Sequence, residues 1–182
     1  VDELGIDVLL AGVQKALALP PGLSIFTCSE AALARAESMP DRGYYFDFVE
    51  FAKNGAKNNT PSTPVVSLLH ALDQKVAEIL AEGLEERYAR HEHLNNLLKA
   101  WGTGHDIANF APEGFQSKTL VCFATPDGLD VPAFVKELRR KHNFLINGGY
   151  GRIKGSTFRI SNMGNESEET MQELFGALDD IL

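Results

Sequence analysis

Short apolar runs and segments of helical period alternate along this chain. "IDVLLAG", residues 6–12, is β-branched and leucine-rich and stops at Gly12, the pattern of a buried strand. After the Pro20-Pro21-Gly22 turn, "LSIFTCS" (23–29) reads as a second strand, and Ser29 caps a short helix, "EAALARAES". The aromatic-rich "YYFDFVEFAKNG" (44–55) reads as a helix or an irregular segment ending at Gly55. "NNTPSTP" (58–64), two prolines among small polar residues, is the clearest break. Behind it Val65, Leu69, Leu72, Val76, Leu80, Leu84, Tyr88, His91, Leu94, Leu98 and Trp101 recur at three- and four-residue steps. That spacing predicts one long amphipathic helix, with Thr63 as N-cap, Pro64 as first residue, and a bend or break at Gly83.

Past "WGTGHD" the pattern changes to a compact α/β unit. "KTLVCFATP" (118–126), "FLINGG" (144–149) and "STFRISN" (156–162) are expected strands, the last two flanking a glycine-rich turn. "DVPAFVKELRRKH" (130–142) is a helix capped by Asp130, and "SEETMQELFGALDDIL" (167–182) is a closing helix with caps offered by Ser167 and Thr170. The organisation expected is therefore a first part over residues 1–62, a connecting helix over 63–101 and a small α/β domain over 102–182.

Composition narrows the setting. Hydrophobic residues make up 44% and charged residues 23% of the 182 positions, values of a globular protein with a core. A formal net charge of −8 argues against nucleic acid or an anionic membrane surface as a general partner. Cys28 and Cys122 lie far apart in apolar stretches, which fits neither a disulfide framework nor a metal-ligand spacing and suits a reducing, cytoplasmic compartment. No apolar stretch is long enough to span a bilayer as a helix. The chain starts at Val1 and enters a strand at once, which leads us to expect a C-terminal piece of a longer protein.

Candidate chemistry rests on two cations. Lys15 follows the first strand in "GVQKALALPPG", where an ammonium must be desolvated or snorkel to water. It is either a surface lysine at a strand end or an amine held on a rigid turn, able to form a Schiff base once neutral. Arg159 in "TFRIS" points away from the face shared by Phe158 and Ile160. It is either a solvent-face arginine or a guanidinium presented to a carboxylate. "GGYGRIKG" (148–155) leads into a strand rather than a helix, so it is a hairpin with a possible lid role and not a dinucleotide loop. In "HEH" (91–93) the two histidines face different directions of a helix, so a structural role is expected and no metal site.

Taken together, "GIDVLLAGVQKALALPPGLSIFT", "TPSTP" at the entry to a long helix, and "GGYGRIKGSTFRISNMG" resemble class V aminotransferases of pyridoxal-phosphate fold type I. The nearest branch is that of the alanine–glyoxylate and serine–pyruvate enzymes. The resemblance covers the whole chain but only the C-terminal half of such an enzyme. It implies an α/β fold: the end of the large cofactor domain, a long connecting helix and a small C-terminal domain. It also implies pyridoxal 5'-phosphate as cofactor, a homodimer, and a missing N-terminal half as partner.

Carried over residue by residue, Lys15 is the cofactor-linked lysine and general base, and Gln14 a phosphate ligand. Arg159 holds the substrate α-carboxylate. Residues of "NTPSTP" reach the phosphate of a neighbouring subunit, with Thr60, Ser62 or Thr63 supplying the hydroxyl. The chain departs from the family pattern in two places: Asn59 stands at the tyrosine position and Val13 at a common serine. The implied reaction is transamination between serine or alanine and glyoxylate or pyruvate. Two alternatives stand beside it. One is phosphoserine aminotransferase, with Arg152 and Lys154 as extra cations; the other is a non-catalytic interaction or dimerisation fragment.

Overall fold

The computed structural model describes residues 2–182, which fall into two compact units, one up to Glu78 and one from Ile79 onward. In the first unit, β1 (Val8–Gly12) pairs antiparallel with β2 (Ser24–Cys28), in a register running from Val8 opposite Cys28 to Gly12 opposite Ser24. Ser29 caps α1 (Glu30–Glu37) by accepting the Ala32 N–H, and its own hydroxyl donates to Asp7 at 2.7 Å. Asp47 caps α2 (Phe48–Gly55) through the Val49 N–H and pairs with Arg42 at 2.9 Å. Phe26 of β2 packs on Phe48 and Phe51 of α2, with ring centroids 5.2 and 5.3 Å apart.

The pattern of β1 is that of a strand, but the strand is not buried. Val8, Leu9 and Leu10 are 41, 42 and 67% exposed, because β2 is its only partner among the described residues and neither face is covered. The apolar core of this unit is small: Val13 is fully buried and Val49 nearly so.

The long helix divides in two. α3 (Val66–Glu82) and α4 (Leu84–Gly104) meet at Gly83, whose φ of +90° only glycine adopts without strain. α3 starts later than expected: the Val65 carbonyl accepts its first bond, from Leu69, so Thr63 is not the N-cap and Pro64 not the first residue. Pro64 disfavours helical backbone at Thr63, the residue before it. The apolar stripe is also split. Leu69, Val76, Leu80 and Tyr88 are exposed, whereas Leu94, Leu98 and Trp101 are buried.

The second unit holds a three-stranded antiparallel sheet in the order β3 (Leu120–Ala124), β5 (Thr157–Ser161), β4 (Asn147–Gly148). Only two residues of "FLINGG" form β4, because the chain leaves the sheet at the turn after Gly148. α4, α5 (Val131–His142) and α6 (Glu168–Asp179) enclose a core that includes Leu94, Leu98, Phe123, Phe134, Phe158 and Leu178. The expected caps are present: Asp130 accepts from Ala133, and Ser167 and Thr170 form a reciprocal capping box.

The loop after β5 is fastened to α4. His91 Nε2 accepts the Gly164 N–H at 3.1 Å, so Nδ1 carries the proton and donates to the Arg87 carbonyl at 2.7 Å. Arg90 donates to the carbonyls of Glu166 and Gly164 and, with Arg87, to the Glu82 carboxylate. Those hydrogen bonds, Arg90's first, hold the Glu82 carboxyl down at about 2 against the opposing effect of burial.

Candidate active site

Lys15 sits in a turn that the backbone closes on itself. Fully buried Val13 donates its N–H to Leu23 and accepts from Leu19, and the Lys15 carbonyl accepts from Ala18 at 2.9 Å. Ala18 takes a left-handed φ of 53° within the connection that returns the chain from Gly12 to Ser24 at the start of β2. Val13 thus anchors the turn inside while Gln14 and Lys15 project outward, both exposed. Lys15 is exposed, because the turn stands at the surface of its unit. Gln14 folds back over the strand end, where a Cβ at position 12 would come within 2.6 Å of its Oε1. Gly12 therefore makes room for the Gln14 carboxamide.

Thr60 and Thr63 lie in the same unit, in the exposed segment between α2 and α3. The Thr60 N–H donates to the side chain of Asn59 at 2.9 Å, and its hydroxyl donates to the Ser62 carbonyl at 2.7 Å. Thr60 thus organises the segment locally, through a turn that uses the side chain of Asn59.

Arg159 belongs to the second unit, on the central strand β5. Val121, Phe123, Phe158 and Ile160 fill the core side of the sheet, so Arg159 extends from the opposite face, as alternation requires. Its cross-strand neighbours there are Cys122 of β3 and Asn147 of β4. Nε and Nη2 both donate to the Gly148 carbonyl, at 3.2 and 3.1 Å. The guanidinium is therefore oriented before any ligand arrives. The Tyr150 ring lies against it, 4.8 Å from its Cζ. Reading the sequence did not single out Tyr150; the only signal was its place in the hairpin leading into Arg159.

Comparison with known proteins places these residues in context. No family model matches the chain. An uncharacterized aminotransferase of Methanocaldococcus jannaschii is 37% identical over 90% of this chain and 43% of its own length. The serine–glyoxylate aminotransferase of Methylorubrum extorquens is 32% identical over 92% of this chain and 43% of its own. In fold, the solved alanine–glyoxylate aminotransferase of Nostoc sp. superposes with a TM-score of 0.93 at 27% identity. That superposition covers 99% of this chain and 49% of the Nostoc enzyme.

The chain is homologous to the C-terminal half of class V aminotransferases. It spans about half the length of the curated relatives it matches. Other relatives carry names pairing glyoxylate with aspartate or pyruvate with pyridoxamine, and two are named soluble hydrogenase subunits. The α/β class that the resemblance implies is the class of this fold. No described helix is long and apolar enough to cross a membrane.

Proposed function

We propose that this chain is the C-terminal half of a pyridoxal-phosphate-dependent aminotransferase acting on a small amino acid, serine or alanine, with glyoxylate or pyruvate as acceptor. The observation that carries the reading is the pairing of full-chain homology to aminotransferases with Gln14-Lys15 on a backbone-locked turn. The donor set fits the cofactor: a primary amine for its aldehyde, a carboxamide and threonine hydroxyls for its phosphate, and a guanidinium for a substrate carboxylate. When bound, the cofactor supplies an electron sink for the pair of electrons left when the substrate α-proton departs.

The residues divide the work as follows. Lys15 would hold the cofactor through its side-chain amine, and that amine, once free, would take and carry the substrate α-proton on Nζ. Gln14 donates from its amide to the phosphate, and Thr60 and Thr63 serve the phosphate of a second subunit. Arg159 fixes the carboxylate and so orients the breaking C–H bond, a positioning contribution. The reading includes a homodimer, the upstream half of the same enzyme as partner, and a cytoplasmic setting that suits two cysteines outside any disulfide.

The test is to mix the chain with pyridoxal phosphate, with and without the upstream half, reduce with borohydride and map the adduct by peptide mass spectrometry. A single adduct at Lys15, lost in Lys15→Ala, is the expected outcome; labels scattered over surface lysines would end the reading in favour of an interaction fragment. A second reading, phosphoserine as donor, draws on Arg152 and Lys154, both exposed in the hairpin that carries Tyr150. Competition between phosphoserine and serine in the assembled enzyme separates the two.

A further inference from the structure

The hairpin between β4 and β5 is built so that one aromatic ring meets one cation. Its anchor is Gly149, whose N–H donates to the Thr157 carbonyl at 2.8 Å. A Cβ there would fall 2.2 Å from Thr157 Oγ1 and 2.3 Å from the Ile153 carbonyl oxygen, so the chain passes through a slot that only glycine fits. Thr157 Oγ1 closes the far side of that slot by donating to the Ile153 carbonyl at 3.0 Å. Tyr150 leaves the slot in extended backbone, with φ of −135° and ψ of 167°, and its ring comes to rest against Arg159 while 72% of the residue stays exposed.

The guanidinium has five N–H donors in a planar fork. The Nε–Nη2 edge is occupied by the Gly148 carbonyl, and one face is covered by the Tyr150 ring. Among the described residues none bonds to the Nη1–Nη2 edge, an edge that can bind a carboxylate bidentately. We propose that Tyr150 is a positioning residue for Arg159: it holds the guanidinium plane and shields one face, so that a small carboxylate approaches the remaining edge. The inference rests on the reading of Arg159 as a carboxylate site. It assigns Tyr150 no contact with the reacting atoms.

The experiment uses the 182-residue chain and follows the Arg159 Nε–H resonance, identified by its loss in Arg159→Lys. The expected result is a ring-current-shifted resonance in the wild-type chain and in Tyr150→Phe, and an unshifted one in Tyr150→Leu. Titration with glyoxylate should move it in all three, with an affinity lower by about threefold in the leucine variant only, the size of an exposed cation–π contact. In the assembled enzyme the same substitution should raise KM for the amino donor and leave kcat in place. A resonance indifferent to Tyr150→Leu, a phenylalanine variant that behaves like leucine, or an Arg159 that glyoxylate does not perturb would each overturn the proposal. Glyoxylate binding that depends on Tyr150 in a chain whose Lys15 takes no cofactor would leave the proposal standing while the transamination reading falls.

Discussion

The two units of this chain bury their apolar residues very differently. In the second, Leu98, Leu138, Phe158 and Leu178 are fully buried among three helices and a sheet. In the first, Leu10 and Val66 are 67 and 55% exposed, and Phe46 is 82% exposed. Side chains so exposed leave apolar surface in water that a contact would cover. The contrast teaches that one unit carries its own core, whereas the other presents strands and helix faces whose apolar pattern is not satisfied within the chain.

Three substitutions sharpen the contrast. The largest effect is expected in the second unit, where Phe158→Ala empties the centre of a ring cluster formed with Phe123 and Phe134. It should cost about 3–5 kcal/mol and unfold that unit at ordinary temperature, as read from the near-ultraviolet dichroism of Trp101.

Next comes Glu82→Gln, which leaves two arginines without their carboxylate and should cost about 2 kcal/mol at neutral pH. The Glu82 carboxyl lies at about 2 in the fold against an ordinary value of 4.5. Its contribution is therefore complete above pH 4.5 and is lost as the pH falls toward 2. Urea midpoints taken across that window should slope more steeply in the wild-type chain than in the variant, where Asp47, Glu78, Glu137 and Asp180 still titrate low; equal slopes would mean that Glu82 does not stabilise the fold.

The smallest effect is expected from Leu10→Ser, within about 0.5 kcal/mol, because the side chain is already in water. A loss comparable with that of Phe158→Ala would break the comparison. The same variant should reduce self-association of the chain in sedimentation, since an open strand with exposed leucines is a template for pairing.

Local chemistry was the most legible part of the fold. Ser29, Asp130 and the Ser167–Thr170 pair stand where they cap helices, because capping is settled within four residues. The split of the long helix was half legible: Gly83 signals a break, but the apolar period runs straight across it and hides which side is buried. Burial of β1 was not legible, because a strand pattern records what a surface can pack against rather than what it packs against in this chain. At the candidate site, the Gln14-Lys15 turn is written in its prolines and small residues. Tyr150 was missed because its partner lies across a hairpin, and the register that joins Asn147 to Arg159 is fixed by pairing rather than by spacing.

Val13 has a consequence of its own. Its N–H and its carbonyl are both spent on the loop that carries Lys15, and its side chain is the only part of that loop fully withdrawn from water. The Leu19 amide, which donates to Val13, is therefore a clock for the whole turn: deuterium can reach it only when the loop opens. The interval between openings is the longest time for which Lys15 can keep a fixed position toward anything bound beside it.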